Sequence, residues 1–170
     1  MQVDCVTRFR VPGAEDGAKV WELIRQAGSL DLNSPYSYLM LCDYFRDTCV
    51  VAEDNFGIVG FFYLHFVLRK GKTRYLSGKW LWQEPIVKKG LAKSMIQTLL
   101  GRDICRNISY IEATISPSNT PSRQLFMSLA REHEVHCDME PGYDSSLFPP
   151  VSMHEAENLF RIGPFSVHKS

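Results

Sequence analysis

The sequence predicts an α/β (α+β) domain in which a mixed, mostly antiparallel sheet is flanked by helices. Three observations predict it. The 170 residues suffice for one domain with a real core and fall short of the length at which a second is expected. Apolar residues recur at helical spacing in some segments and form short β-branched or aromatic runs in others. The order of these segments, strand, two helices, antiparallel strands, helix, strand, helix, strand, is that of a sheet with helices on both faces. One domain over 1–170 is expected, because no repeat or low-complexity linker marks a boundary.

Val6 to Arg10 reads as a short strand. Glu15 to Ala27 reads as a helix with Val20, Trp21, Ile24 and Ala27 on one face and Gly28 as its stop. Leu30 to Ser34 is then a loop, and Ser34 before Pro35 is N-cap chemistry for a second helix running to about Phe45. Cys49 to Glu53 and Ile58 to Val67 are strand-like runs separated by Asp54-Asn55-Phe56-Gly57, which predicts a hairpin. A third strand is expected between Tyr75 and Trp82, after the basic turn Arg69 to Arg74. From Gly90, Leu91, Met95, Ile96, Leu99 and Leu100 recur at helical spacing. Tyr110 to Ile115 reads as a strand ending at Pro117, and Asn119 to His133 as a helix with Leu125, Phe126, Leu129 and Ala130 inward. The tail reads as turns at Pro141, Gly142, Pro149 and Pro150, with a last strand at Asn158 to Ile162.

Basic and acidic residues number 19 each, so no global field attracts nucleic acid or an anionic membrane, and neither is an expected partner. The longest apolar run, Ile58 to Leu68, contains His65 and is far short of the ~20 residues of a bilayer span. Met1 to Val11 carries Asp4, Arg8 and Arg10 and has no apolar h-region, so the expected compartment is the cytosol. Cys5, Cys42, Cys49, Cys105 and Cys137 are widely spread, without zinc or redox spacing, and read as buried free thiols.

Two segments carry candidate chemistry. Val87-Lys88-Lys89-Gly90-Leu91-Ala92-Lys93 lies between a strand and an amphipathic helix. A helix N-terminus offers backbone N–H groups and a positive dipole end, Gly90 permits close approach, and the lysines add charge, so the segment suits a pyrophosphate. It matches no Walker or Rossmann pattern. The second segment is Glu112-Ala113-Thr114-Ile115-Ser116-Pro117-Ser118-Asn119-Thr120-Pro121-Ser122-Arg123-Gln124-Leu125-Phe126. A strand and turn followed by Asn-x-x-Ser-x-x-Leu-Phe resembles the second CoA-contacting motif of the GNAT acetyltransferase superfamily. Gly90-x-Ala92 stands where the first belongs.

Within that superfamily the chain resembles, over nearly its whole length, the diaminobutyrate acetyltransferases of ectoine biosynthesis. The matching words are Glu15 to Val20, Leu30 to Leu39 (Leu-Asp-Leu-Asn-Ser-Pro-Tyr-Ser-Tyr-Leu), Val50 to Glu53, Glu112 to Phe126, and the ending Leu159-Phe160-Arg161-Ile162-Gly163-Pro164. The resemblance implies the GNAT acyl-CoA N-acyltransferase fold and acetyl transfer from acetyl-CoA to the 4-amino group of L-2,4-diaminobutyrate. It also implies a homodimer and no metal. By that resemblance Val87, Lys88, Lys89, Gly90, Leu91, Ala92, Lys93, Asn119, Ser122, Arg123 and Phe126 are expected to contact acetyl-CoA.

Such a substrate carries two ammonium groups, which carboxylates neutralise and aromatic faces hold. Asp31, Asn33, Tyr36, Tyr38, Trp82, Thr114, Glu155 and Glu157 are the candidate substrate contacts. An alkyl ammonium has a pKa of about 10.4 and must lose a proton before attack on the thioester. Glu84, Glu112 and His154 are the candidate bases. The oxyanion suits a backbone N–H of the strand before the CoA loop. Many superfamily members carry a tyrosine where this chain has Phe126, so Tyr38, or else Tyr36, is the expected proton donor to the departing thiolate.

The strand before the CoA loop departs from the family pattern of Val-Trp-Gln-Val-Ala-Val followed, after a loop, by Arg-Gly-x-Gly-Leu-Ala. Aligned from Gly90, the family tryptophan falls on Gly78 and the loop arginine on Val87. Aligned on the Trp-Gln word, Trp82-Gln83 match and the loop is shorter. The departure motivates two alternatives: a catalytically weak CoA-binding relative, and a GNAT acetyltransferase for another small amine.

Overall fold

The computed structural model describes residues 6–28, 32–69, 73–82 and 90–165, with 67–82 as backbone only. The chain divides into two compact units, Met1–His65 with Lys79–Arg106 and Phe66–Gly78 with Asn107–Ser170.

The first unit contains β1 (Arg8–Arg10), α1 (Gly17–Ala27), α2 (Pro35–Asp43), β2 (Cys49–Asp54), most of β3 (Gly57–Arg69) and α3 (Leu91–Leu100). β1 runs antiparallel to β2, with Phe9 opposite Ala52, and β2 antiparallel to β3, with Val51 opposite Phe61. Alternation along β2 sorts its side chains between two cores. Cys49 and Val51, with Phe61, join Val20, Leu23, Ile24, Tyr38 and Leu41 under α1 and α2. On the opposite face Ala52 and Gly60 meet Leu91 and Met95 of α3. Helices therefore cover both faces of these strands, as the element order predicts.

Local chemistry holds these elements in place. Ser34 Oγ accepts from the Ser37 N–H at 3.3 Å and Pro35 opens α2. In the hairpin, Asp54 Oδ1 accepts from the Phe56 N–H at 2.9 Å. The Arg10 guanidinium donates to both Asp16 oxygens, at 2.6 and 2.9 Å, and to Glu53 at 2.9 Å. That guanidinium holds both carboxyl groups below their usual range, and Asp16 also accepts from the Gly13 N–H. Arg102 donates to the carbonyls of Asp47 and Cys49, tying the end of α3 to the start of β2.

The second unit contains the pairing segment of β4 (Thr73–Trp82), β5 (Tyr110–Ile115), α4 (Thr120–Glu132), β6 (His136–Tyr143) and β7 (Glu157–Gly163). Its strand order is β4-β5-β7-β6. β4 and β5 are parallel, Tyr75 opposite Tyr110, and the other pairs are antiparallel. Ile111, Ala113 and Ile115 bury on one face of β5 with Phe160 and Ile162 of β7. Phe126 of α4 packs edge-on against Phe160, ring centroids 6.2 Å apart.

Several expectations shift by one to three residues. β1 begins at Arg8, a single 3₁₀ turn (Ala14–Asp16) precedes α1, and α2 stops at Asp43. The larger correction is β6, which the tail reading takes as turns. Its side chains are mostly exposed on both faces, so no apolar alternation announces it, and as an edge strand it tolerates Pro141 beside a bulge. Gly163 stands at φ +142°, where an added Cβ would lie 2.5 Å from the Ser109 carbonyl. The glycine of the Arg-Ile-Gly-Pro ending is therefore required by the fold.

Cys42, Cys49 and Cys105 are buried free thiols, as expected, and Cys137 is half-buried. Burial pushes the Cys42 thiol up to about 12. Cys5 lies outside the described residues. Among the described residues no helix is long and apolar enough to cross a membrane.

Candidate active site

The β5–β7 register sorts the candidate residues of the second unit. Residues directly opposite on antiparallel strands project to the same face. Glu112 is opposite Arg161 and Thr114 opposite Leu159, and Glu157 follows at the same parity on β7. Glu112, Thr114 and Glu157 thus share the face turned away from Phe160 and α4.

Their environments differ. The Glu112 side chain is 1% exposed and Arg161 Nε donates to its Oε1 at 2.7 Å. A second Arg161 nitrogen donates to the exposed Glu140 at 3.2 Å. Glu112 thus faces the Arg161 guanidinium across the sheet, the acid buried and the guanidinium part-exposed. Glu157 is nearly buried, and its Oε1 lies 3.8 Å from His154 Nε2. Glu155 is exposed, and its Oε2 accepts from the Ser118 N–H at 3.2 Å, linking this segment to the turn before α4.

The two helix N-termini are unlike each other. At α4, Asn119 Oδ1 accepts from the Ser122 N–H at 3.1 Å, so the helix carries its own cap. Ser122 and Phe126 are buried and Arg123 is exposed. At α3 the N-cap is Gly90, φ +95°, which has no side chain to offer the first-turn amides. Among the described residues, nothing lies within 4 Å of an added Cβ there. Leu91 is buried, while Ala92 and Lys93 are half-buried. A helix start with no side-chain cap among the described residues fits an anionic group of the CoA type.

Residues 18–130 match the acetyltransferase (GNAT) family. This chain belongs to the GNAT acetyltransferase family. The L-2,4-diaminobutyric acid acetyltransferase of Halalkalibacterium halodurans is 43% identical to it over 166 residues, covering 95% of this chain and 84% of that one. The corresponding enzyme of Marinococcus halophilus is 42% identical, covering 93% and 90%. A solved structure of the diaminobutyrate acetyltransferase of Paenibacillus lautus, in complex with its substrate L-2,4-diaminobutyric acid and coenzyme A, superposes with a TM-score of 0.89 at 41% identity, covering 98% of this chain and 99% of that one. The resemblance read from the sequence words is borne out, as is the GNAT fold.

In the first unit of this GNAT chain, Tyr38 is fully buried within the α1–α2 core, and its hydroxyl accepts from the Asn33 N–H at 3.3 Å. That contact fastens the end of the Asp-Leu-Asn-Ser word to α2. Asn33 is exposed, and so is the Tyr36 ring, which stands on the opposite side of the same helix turn. Asp31, Glu84, Val87, Lys88 and Lys89 lie outside the described residues. So does the side chain of Trp82, the last residue of β4.

Two partners escape the sequence reading. Arg161 belongs to the family ending, but only the β5–β7 register brings it to Glu112. Phe148 lies face-on to the His154 ring, centroids 3.9 Å apart and planes 13° from parallel. In the sequence it is one aromatic before two prolines, and no periodicity marks it.

Proposed function

We propose that this chain transfers the acetyl group of acetyl-CoA to the 4-amino group of L-2,4-diaminobutyrate, giving the N4-acetyl product that is the precursor of ectoine. The observation that carries this reading is the 41% identity and 0.89 TM-score, over almost all of both chains, to an enzyme solved with that diamine and coenzyme A. The family match runs through both compact units, which supports treating 1–170 as one acetyltransferase domain. A cytosolic homodimer serving osmoprotection is part of the same reading.

The reaction joins the amine nitrogen to the acetyl carbon and breaks the carbon–sulfur bond. The nitrogen gives up two protons between ammonium and neutral amide: one goes to the general base and on to solvent, and the other leaves as the tetrahedral intermediate collapses, while the departing thiolate gains one proton to become the CoA thiol. The α3 start, with Gly90 open and uncapped, is assigned to the pyrophosphate, with Leu91, Ala92 and Lys93 supplying backbone amides and Val87, Lys88 and Lys89 flanking it. Asn119, Ser122, Arg123 and Phe126 belong to the second CoA-contacting segment, and the burial of Ser122 and Phe126 supports a supporting role beneath Arg123.

For proton removal we favour His154 paired with Glu157 over Glu112, because Glu112 already faces a guanidinium at 2.7 Å. Glu84 keeps the role read from the sequence, as an alternative base. Asp31, Asn33, Tyr36, Trp82, Thr114, Glu155 and Glu157 remain the assigned substrate contacts, and Tyr38 the thiolate proton donor. The test is thiol release from acetyl-CoA across a panel of diamines. Turnover highest with L-2,4-diaminobutyrate and a 4-acetylated product are expected. Preference for another amine by tenfold or more, or CoA binding without turnover, overturns the assignment.

A further inference from the structure

His154 sits in the connection 144–156 between β6 and β7, a long segment built from two short 3₁₀ turns, Ser145–Leu147 and Pro150–Ser152. Long connections that hold a defined structure are disproportionately functional. Asp144 caps the first turn by accepting from the Ser146 N–H at 2.9 Å. The Phe148 N–H then donates to the Ser145 carbonyl, so Phe148 leaves that turn with its backbone pinned. The second turn closes through Ser152, whose N–H and Oγ both donate to the Pro149 carbonyl, at 2.9 and 2.7 Å. Met153 then takes a left-handed conformation, φ +47° and ψ +32°, although its side chain is almost wholly exposed.

A non-glycine residue in that region carries strain, and its exposed side chain gains no packing in return. What the conformation achieves is a reversal of the chain that returns His154 to Phe148. The imidazole then lies against the Phe148 ring, 3.9 Å between centroids and 13° from parallel. His154 Nδ1 is 2.8 Å from the Glu155 carbonyl oxygen. A carbonyl only accepts, so Nδ1 carries the hydrogen. In the neutral ring Nε2 then holds the lone pair. Nε2 is also the nitrogen nearest Glu157, at 3.8 Å.

We propose that Phe148 is a positioning residue for the acetyl transfer: its ring face, with the Glu155 carbonyl, fixes the His154 imidazole in one plane and one tautomer so that Nε2 accepts the proton of the substrate ammonium. The hydrogen bond selects the tautomer only while Nδ1 stays turned to the Glu155 carbonyl, and by itself it does not stop the imidazole from rotating out of that plane. The aromatic face removes that freedom, and it packs against the ring in either charge state. The inference deepens the assignment of His154 as base and rests on it.

The experiment uses the full chain with three variants, Phe148→Leu, Phe148→Tyr and His154→Gln. Phe148→Leu keeps apolar bulk without a planar face, and Phe148→Tyr keeps the face. Long-range nitrogen–proton NMR of the histidine rings reads the tautomer, with His154 assigned by the signal lost in His154→Gln. Steady-state kinetics with the diamine read the chemistry. In the parent and in Phe148→Tyr, His154 shows a single Nδ1–H tautomer. In Phe148→Leu its signals average between tautomers, and kcat/KM for the diamine falls about three- to tenfold while the KM for acetyl-CoA stays within twofold. His154→Gln falls further than Phe148→Leu. An unchanged tautomer or an unchanged kcat/KM in Phe148→Leu overturns the role of Phe148, as does a Phe148→Tyr variant no better than the leucine. Parental turnover in His154→Gln instead overturns His154 as base, whatever Phe148 does.

Discussion

Arg161→Met probes the strongest electrostatic contact on the candidate face. Arg161 and Glu112 stand opposite each other on β7 and β5, 2.7 Å apart, and the Glu112 side chain is 1% exposed. Removing one member of a buried ion pair costs about 3–5 kcal/mol, because the remaining charge stays in a poorly solvating environment. The outer contact from Arg161 to Glu140 is different: at 3.2 Å to a carboxylate that is 54% exposed, it is a surface pair worth about 0–1 kcal/mol. Arg161→Met should therefore destabilise by about 3–5 kcal/mol and Glu140→Gln by less than about 1. For a chain of this length each kcal/mol moves the melting temperature by roughly 2–4 °C. The expected fall is then roughly 6–20 °C for Arg161→Met and at most about 4 °C for Glu140→Gln. Adding Glu112→Gln to Arg161→Met removes the remaining buried charge and should recover part of the loss. Thermal and urea unfolding followed by circular dichroism measure all three. The reasoning fails if Arg161→Met unfolds within about 1 kcal/mol of the parent, or if the double variant is no more stable than the single.

Arg10→Met should cost about 3 kcal/mol at neutral pH, since it strands the buried Asp16. Arg10 lowers the Asp16 pKa in the folded state, so its stabilisation is fully present above the ordinary value of 3.8 and is lost as pH falls through the lowered one. The variant's urea midpoint should accordingly vary less below about pH 4, and a parental acid limb would count against the pairing. Gly90→Val puts a branched side chain into the open space at the α3 start and onto a φ of +95°. Acetyl-CoA affinity by titration calorimetry should fall at least about tenfold, and affinity within twofold of the parent would remove the pyrophosphate from that helix. Tyr38→Phe keeps the buried ring and removes the hydroxyl; kcat should fall about ten- to a hundredfold with acetyl-CoA affinity unchanged. Parental kcat would reduce Tyr38 to a core residue that anchors Asn33.

Much of the family resemblance turns out to be about folding. In Glu15 to Val20, Asp16 is the buried partner of Arg10. In Leu30 to Leu39, Ser34 caps α2 and Tyr38 fills a core. In the ending, Arg161 neutralises Glu112, and Gly163 passes where no Cβ fits. The caps and turns among these words are legible because their chemistry is local, as Ser34 with Ser37 and Asp16 with Gly13 show, whereas Arg161 and Gly163 are legible only as letters of a word, their partners Glu112 and Ser109 lying far off in the sequence. The same locality explains why the inward faces of α3 and α4 can be read from helical spacing, why Tyr110–Ile115 is legible as a short strand before Pro117, why α2 is legible from its Ser34-Pro35 start, and why the exposed β6, with no buried face, is not.

Family, fold and the anion-suited start of α3 were written into neighbouring residues. Which acid is available for proton transfer was not. Glu112 and His154 stand in the sequence as equal candidate bases, and their surroundings separate only when the β5–β7 register sets Arg161 against Glu112 while two 3₁₀ turns and a left-handed Met153 bring His154 onto Phe148. The availability of a carboxylate or imidazole depends on charges and ring faces within a few ångströms, and residues 49 positions apart acquire that closeness only through the sheet.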